Sequence, residues 1–315
     1  MQKILVTGGA GFIGSHLCKS LLDDGYKVVC LDNLITGSKK NIEDLLDNPN
    51  FEFVNADVCN LQAVDRSQLA VSAIFHLASP ASPIDYQNFS EETLLTNSVG
   101  TLNILNLAKE IKAKVLIAST SEIYGDPLEH PQKEIYWGNA NSFGPRSCYD
   151  ESKRFAEAAT YVFLNKYNID ARIIRIFNTY GPNMQKDDGR VVSNFIWWSI
   201  HNTPILIDGD GSQTRSFCYV SDLVDGIKKA MFSEKTKGEI FNLGNPNEFR
   251  IKELAEMVIK LTNSKSKIIL SETFRPDDPM QRCPDITKAN KILDWKPKIE
   301  LKEGLQKTIK YYKSF

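Results

Sequence analysis

Ile4-Leu5-Val6-Thr7-Gly8-Gly9-Ala10-Gly11-Phe12-Ile13-Gly14 stands close to the start of the chain. Its short apolar run, bounded by glycines, reads as a buried parallel strand. Ile13, Leu17, Leu21 and Leu22 then recur at helical spacing between Phe12 and Leu22. Asp23-Asp24-Gly25 ends that helix, with Gly25 suited to a left-handed C-cap. The stretch satisfies GxGxxG from Gly9 and GxxGxxG from Gly8. Glycines there permit a tight turn and let backbone N–H groups approach a pyrophosphate, while the helix N-terminus adds a favourable dipole. Asp32 closes the next strand, 18 residues past Gly14. A carboxylate at that point can accept both ribose hydroxyls and repels a 2′-phosphate, which points to NAD rather than NADP.

The pattern continues beyond this unit. Lys27 to Leu31, Phe51 to Asn55, Ala73 to Leu77, Lys114 to Ala118 and Ala171 to Ile176 read as further strands. Helices are expected at about Glu91 to Ile111 and at Tyr149 to Tyr167. Strand alternating with helix predicts an α/β fold, a doubly wound parallel sheet of the Rossmann type, with its crevice at the carboxyl ends of the strands. After residue 180 the pattern loosens into turn-rich segments such as Asp208-Gly209-Asp210-Gly211. A helix from Ser221 to Phe232, a strand from Glu239 to Leu243 and an amphipathic helix from Ile251 to Thr262 follow. The expected division is a dinucleotide-binding domain of residues 1–176 plus about 218–243, and a smaller α/β substrate domain of about 177–217 plus 244–315.

Bulk properties exclude several classes. The 315 residues are 42% hydrophobic and 24% charged, with a formal net charge of −1. Lysines and arginines are spread out, so no nucleic-acid partner is expected. No apolar stretch approaches the ~20 residues of a membrane span, and no targeting segment is read at the N-terminus, so a cytoplasmic enzyme is expected. Cys18, Cys30, Cys59, Cys148, Cys218 and Cys283 form no CxxC or CxxH cluster, so no metal site is expected.

The candidate chemistry lies in Ser119-Thr120-Ser121-Glu122-Ile123-Tyr124-Gly125 and Tyr149-Asp150-Glu151-Ser152-Lys153. Tyr149 and Lys153 are four apart on an expected helix and so share a face. A phenol with an ordinary pKa near ~10 is a poor base at neutral pH, and a neighbouring ammonium and a cationic nicotinamide ring would lower it. Thr120, at the end of the fifth strand, completes a hydroxyl–Tyr–Lys set suited to oxidising an alcohol beside a nicotinamide.

The whole chain resembles the extended short-chain dehydrogenase/reductase family, and within it the UDP-glucuronate decarboxylases. The likeness rests on His76 to Pro83, Ser119 to Pro131, Gly144 to Glu151, Arg175 to Pro182, Asp187 to Asn194, Gln213 to Leu223, Asn242 to Pro246 and Pro284 to Ala289. The resemblance implies NAD contacts from Gly8, Gly11, Phe12, Ile13, Gly14, Asp32, Asn33, Thr36, Asp57, Val58, Leu77, Ser79, Thr96, Tyr149, Lys153 and Thr179. It implies that Asn178, Arg190, Arg215 and Arg282 hold a UDP-sugar, with Arg275 a further candidate because related epimerases use an Arg-Pro motif there. Arginine suits a diphosphate because its fork makes paired hydrogen bonds. A homodimer through the helices at 91–111 and 149–167 is also implied.

Thr120, Ser121 and Glu122 bear on the reaction. Related 4,6-dehydratases carry Thr-Asp-Glu, whose aspartic acid protonates a departing hydroxyl. Ser121 is a far poorer acid, and loss of carbon dioxide needs none, so decarboxylation through a 4-keto intermediate is the expected chemistry. Glu122 is read as a base or water-positioner near C5. Leu95 stands where these decarboxylases usually carry a lysine, which leaves the partner of a uronate carboxylate unassigned. A 4,6-dehydratase, a 4-epimerase and a non-catalytic NAD sensor remain as alternatives.

Overall fold

Alternation along each strand divides the apolar core in two. In a computed structural model, which describes residues 2–186, 188–271, 279 and 281–314, Ile4, Val6, Cys30 and Phe75 feed one cluster. Leu5, Val29, Leu31 and Ile74 feed the other. Successive side chains of a strand leave on opposite faces, so strands that are apolar throughout must be covered on both sides. That requirement produces a parallel sheet between two helical layers.

The sheet has seven strands. Their spatial order is Ile240–Leu243, Ala171–Ile176, Lys114–Thr120, Ala73–His76, Lys3–Thr7, Lys27–Asp32 and Phe51–Asn55. Every pairing in it is parallel, with Val6 opposite both Cys30 and Phe75. The chain starts in the middle, builds outward to Phe51–Asn55, then returns to place Ala73–His76 on the other side of Lys3–Thr7. That reversal opens a crevice at the carboxyl ends, where an α/β sheet binds its ligands. Ile240–Leu243 comes from the looser second half and pairs with Ala171–Ile176, Ile240 opposite Ile173.

The helix expected over 91–111 is not continuous. Ser90–Leu95 and Thr101–Ile111 are α-helical, and Thr96–Gly100 between them is a π turn. The extra residue in the turn keeps Thr96, Asn97 and Gly100 all buried. Gly100 lies so close to Val58 that a Cβ there would sit 2.6 Å from its Cγ2. Asn97 donates to Ser152 Oγ at 3.0 Å, tying the π turn to the helix Ser147–Tyr167. That helix buries Tyr149, Ser152, Lys153, Ala156, Thr160 and Phe163, a stripe at spacings of three and four.

The second half covers the crevice with short strand pairs. Thr214–Ser216 pairs antiparallel with Glu248–Arg250 and parallel with Gln281–Arg282. Ile205–Asp208 pairs with Ile268–Ser271, and Thr179–Tyr180 with Cys218–Tyr219. Among the described residues, no helix is long and apolar enough to cross a membrane.

Candidate active site

A cleft of about 360 Å³ runs along the carboxyl ends of the strands and under the second half. Gly8 stands at its floor with φ +71°, and an added Cβ would lie 2.7 Å from the Ala78 backbone. Gly14, in the first turn of Phe12–Asp23, leaves no room for a Cβ against the Gly8 carbonyl oxygen. Gly11 caps that helix without a side-chain acceptor, so its first N–H groups are not met by a side-chain cap. A turn this tight ahead of an open helix N-terminus is a cradle that fits a pyrophosphate.

Asp32, at the end of its strand, accepts Ala10 N–H at 2.9 Å through Oδ2 and Leu34 N–H at 2.8 Å through Oδ1. Burial pushes its pKa above the ordinary value, against the pull of those two bonds. Each oxygen keeps a further lone pair for a hydroxyl donor. Asn33, Thr36, Val58, Leu77, Ser79, Thr96 and Thr179 line the same cleft, as do Gly11, Phe12 and Ile13. Asp57 does not line it. Its carboxylate accepts Asn33 Nδ2 at 2.9 Å and Cys59 N–H at 2.7 Å, so it braces Asn33 from behind.

Thr120, Tyr149 and Lys153 meet across the cleft floor. Lys153 Nζ donates to the Ala118 carbonyl at 2.9 Å and lies 5.8 Å from the Tyr149 ring centroid. The Thr120 hydroxyl hydrogen-bonds the phenol, and Tyr86 stacks on the Tyr149 ring with centroids 5.0 Å apart. In the protein alone burial dominates both groups. It raises the Tyr149 phenol to about 12, against the Thr120 bond, and lowers the Lys153 ammonium to about 7. Lys153 stands beside the phenol as expected from sequence, and Arg190 pulls the phenol down, but burial outweighs that pull.

Glu122 follows Thr120 in the turn Ser121–Tyr124 and is held from both sides. Its Oε2 pairs with Arg146 Nη2 and its Oε1 with Arg282 Nη1. Burial alone would raise its pKa, but the two guanidiniums outweigh it and hold the carboxyl at about 2. Arg282, itself 1% exposed, also reaches Ser121 Oγ at 3.4 Å and donates to the Gly125 carbonyl at 2.6 Å.

Asn178, Arg190 and Arg215 line the cleft from the second half. Arg190 faces Asp188 at 3.6 Å, and Arg215 donates to Pro279 O at 2.6 Å. Arg275 lies outside the described residues. Leu95, 40% exposed, is not among the residues lining the cleft.

Among the lining residues given no role from sequence, Arg146 and Tyr86 touch Glu122 and Tyr149. Arg146 stands three before Tyr149 and N-caps the same helix, a spacing that would have placed it near the site. Tyr86 lies in the short helix Pro83–Asn88, and no local pattern marks it. His76 is buried between Thr7 Oγ1 at 2.7 Å and Thr101 Oγ1 at 3.2 Å. Burial lowers its pKa to about 3 and keeps it neutral.

Residues 5–308 match the family described as GDP-mannose 4,6 dehydratase. UDP-glucuronic acid decarboxylase 5 of Arabidopsis thaliana is 51% identical over 305 residues, covering 96% of this chain and 87% of the relative. UDP-glucuronic acid decarboxylase 1 of Danio rerio is 49% identical over 314 residues, covering 99% of this chain and 72% of the relative. Among solved structures, the UDP-glucuronic acid 4-epimerase of Bacillus cereus, in complex with UDP-glucuronic acid and NAD, superposes with a TM-score of 0.89. It is 31% identical and covers 99% of each chain. Dehydratase, decarboxylase and epimerase thus share one scaffold, and these two decarboxylases are more alike in sequence to the chain than this epimerase is. The chain belongs to the extended short-chain dehydrogenase/reductase family, on its UDP-glucuronic acid decarboxylase branch.

Proposed function

We propose that this enzyme converts UDP-glucuronate to UDP-xylose and carbon dioxide, with NAD regenerated in each turnover. The carrying observation is that the alcohol-oxidising set, Thr120, Tyr149 and Lys153, shares one cleft with a glutamate clamped by Arg146 and Arg282. The Gly8–Gly14 cradle, the first-turn N–H groups after Gly11 and the Asp32 carboxylate fit NAD. Bound NAD⁺ would take the C4 hydride and return it at the end of the cycle, and its positive ring would favour the Tyr149 phenolate.

Tyr149 takes the C4 hydroxyl proton, and Thr120 steadies the same oxygen. The 4-keto uronate is then a β-keto acid. Its C5–carboxylate bond breaks, carbon dioxide leaves, and the electron pair passes to an enolate whose oxygen is hydrogen-bonded by Tyr149 and Thr120. A water beside C5 relays a solvent proton to C5, and Tyr149 gives its proton back to the C4 oxygen as the hydride returns. A carboxylate held at about 2 is a feeble base, so of its two expected roles Glu122 is assigned the positioning one, setting the guanidiniums and a water beside C5. Arg146 and Arg282 supply the cations that Leu95 does not. Arg282 Nε is buried without a hydrogen-bond partner among the described residues, which suits an anionic ligand.

In this reading residues 1–176 plus about 218–243 carry NAD, and about 177–217 plus 244–315 carry the UDP-sugar through Asn178, Arg190, Arg215, Arg275 and Arg282. Leu94, Leu95, Val99, Phe155, Tyr161 and Val162 leave apolar surface exposed on the helices assigned to a homodimer. A cytoplasmic location goes with the same reading.

The test is incubation of the purified chain with UDP-glucuronate and NAD⁺, followed by mass spectrometry. UDP-pentose and carbon dioxide, without consumption of NAD⁺, are expected. An isobaric product would make it a 4-epimerase, loss of water from a UDP- or dTDP-hexose a dehydratase, and NAD binding without turnover a sensor.

A further inference from the structure

We infer that His130, Glu248 and Cys283 form a binding site for a borderline-soft divalent cation, Zn²⁺ being the best match, behind the strand that carries Arg282 into the cleft. An imidazole nitrogen, a carboxylate oxygen and a thiol sulfur lie there within 4.8 Å of one another. They come from three separate segments. His130 is in the loop after Ser121–Tyr124, Glu248 opens the strand Glu248–Arg250, and Cys283 follows the strand Gln281–Arg282. These are the three side-chain ligand types that zinc takes, and three of them with a water complete a tetrahedron. A sulfur ligand disfavours Mg²⁺ and Ca²⁺, which prefer oxygen alone.

The surroundings hold the set in place. Thr214 donates to Glu248 Oε1 at 2.7 Å, which leaves Oε2 facing His130 Nε2 at 2.7 Å. Gln132, fully buried, grips Cys283 from both sides of its peptide: its Oε1 accepts Cys283 N–H at 2.9 Å and its own N–H donates to Cys283 O at 2.9 Å. Outer bonds of this kind orient ligands and tune their affinity. Without a cation, His130 pairs with Glu248 and the thiol donates to Pro246 O at 3.3 Å. On binding, the thiol releases its proton to solvent and a sulfur lone pair takes the metal; no oxidant or reductant is needed.

The position couples the site to the cleft. Neighbouring residues of a strand point to opposite sides. Arg282 accordingly meets Glu122, while Cys283 meets His130 and Glu248. The loop bearing His130 leaves from Gly125, whose carbonyl Arg282 also holds. A bound cation would join the strand that presents Arg282 to the loop that receives it. This inference is independent of the sugar processed.

The test is titration of the metal-free full chain with Co²⁺, followed by displacement with Zn²⁺ in the presence of a chromogenic chelator. One cation per chain and a near-ultraviolet thiolate-to-cobalt band are expected. Cys283→Ser should abolish the band and weaken binding at least ~100-fold, and Glu248→Gln and His130→Gln should each weaken it by roughly 10-fold or more with the band retained. Thermal melting of each metal-free variant checks folding. Should Cys283→Ser fail to fold, the other two variants, in less buried positions, still decide. The site is refuted by absence of stoichiometric uptake, by a band that survives Cys283→Ser, or by an affinity indifferent to both His130→Gln and Glu248→Gln.

Discussion

Glu122 and Glu157 flank the end of the same strand, and arginine holds both, yet the two ion pairs differ in kind. Glu157 takes one guanidinium face-on: Arg175 Nε reaches Oε1 at 2.9 Å and Nη2 reaches Oε2 at 2.7 Å, with Ser119 Oγ donating to Oε1 at 2.5 Å. Arg175 continues to Tyr124 OH at 2.8 Å, and Tyr124 donates to Asn242 Oδ1 at 2.8 Å. That chain of bonds ties the Ile240–Leu243 strand to the loop and lies outside the cleft lining. Glu122 instead meets a separate guanidinium at each oxygen, inside the cleft. A single paired fork closes on itself and serves as a brace. Two guanidiniums on one carboxylate carry more positive than negative charge, and Arg282 Nε is buried without a hydrogen-bond partner among the described residues.

Substitutions can break this contrast. The largest effect is expected outside the pair, as a calibration of the chemical step: Tyr149→Phe should lower kcat by ~10³-fold or more in the decarboxylation assay while NAD still binds. Near wild-type turnover would remove Tyr149 from the mechanism. Glu122→Gln comes next, at roughly 10²-fold in kcat, with C4 oxidation in a single turnover less affected than the later steps. Equal loss at every step would take Glu122 away from C5. The same variant should change acid stability. The folded pKa of Glu122, about 2, lies below its ordinary 4.5, so its contribution is complete above 4.5 and is lost as pH falls through about 2. Glu122→Gln should therefore flatten the stability curve across that window, measured by denaturant melts.

Arg146→Gln should weaken UDP-glucuronate by about 1.5–3 kcal/mol, roughly 10–150-fold, with UDP-xylose far less affected. Parallel weakening of both ligands, measured by calorimetry, would show that Arg146 does not read the carboxylate. Glu157→Gln is the smallest in rate, within ~3-fold of wild type, because its cost falls on stability, at about 3 kcal/mol for a broken buried pair. If Glu157→Gln instead abolished turnover in a folded protein, the brace and the clamp would not be distinct.

The legible parts were those written in short-range periods. Gly8 to Gly14, the strands through Ala171–Ile176, and the Tyr149–Lys153 face follow from backbone geometry a few residues long. The π turn at Thr96–Gly100 was not legible, since the segment it packs against, with Val58 close to Gly100, lies far away in sequence. Nor was the bracing position of Asp57, which depends on where Asn33 falls. The absence of a clustered cysteine motif pointed away from metals, while folding brought His130, Glu248 and Cys283 together from scattered positions.

By itself the sequence determined the alternation of strand and helix, the glycine turn and the shared face of Tyr149 and Lys153, because each is a matter of spacing along one element. Tertiary structure alone decided that Arg146 and Arg282 clamp one carboxylate while Arg175 braces another. All three are arginines with the same charge and the same fork. What separates them is which strand edge or helix end delivers them, and that is set by sheet order and packing rather than by local pattern.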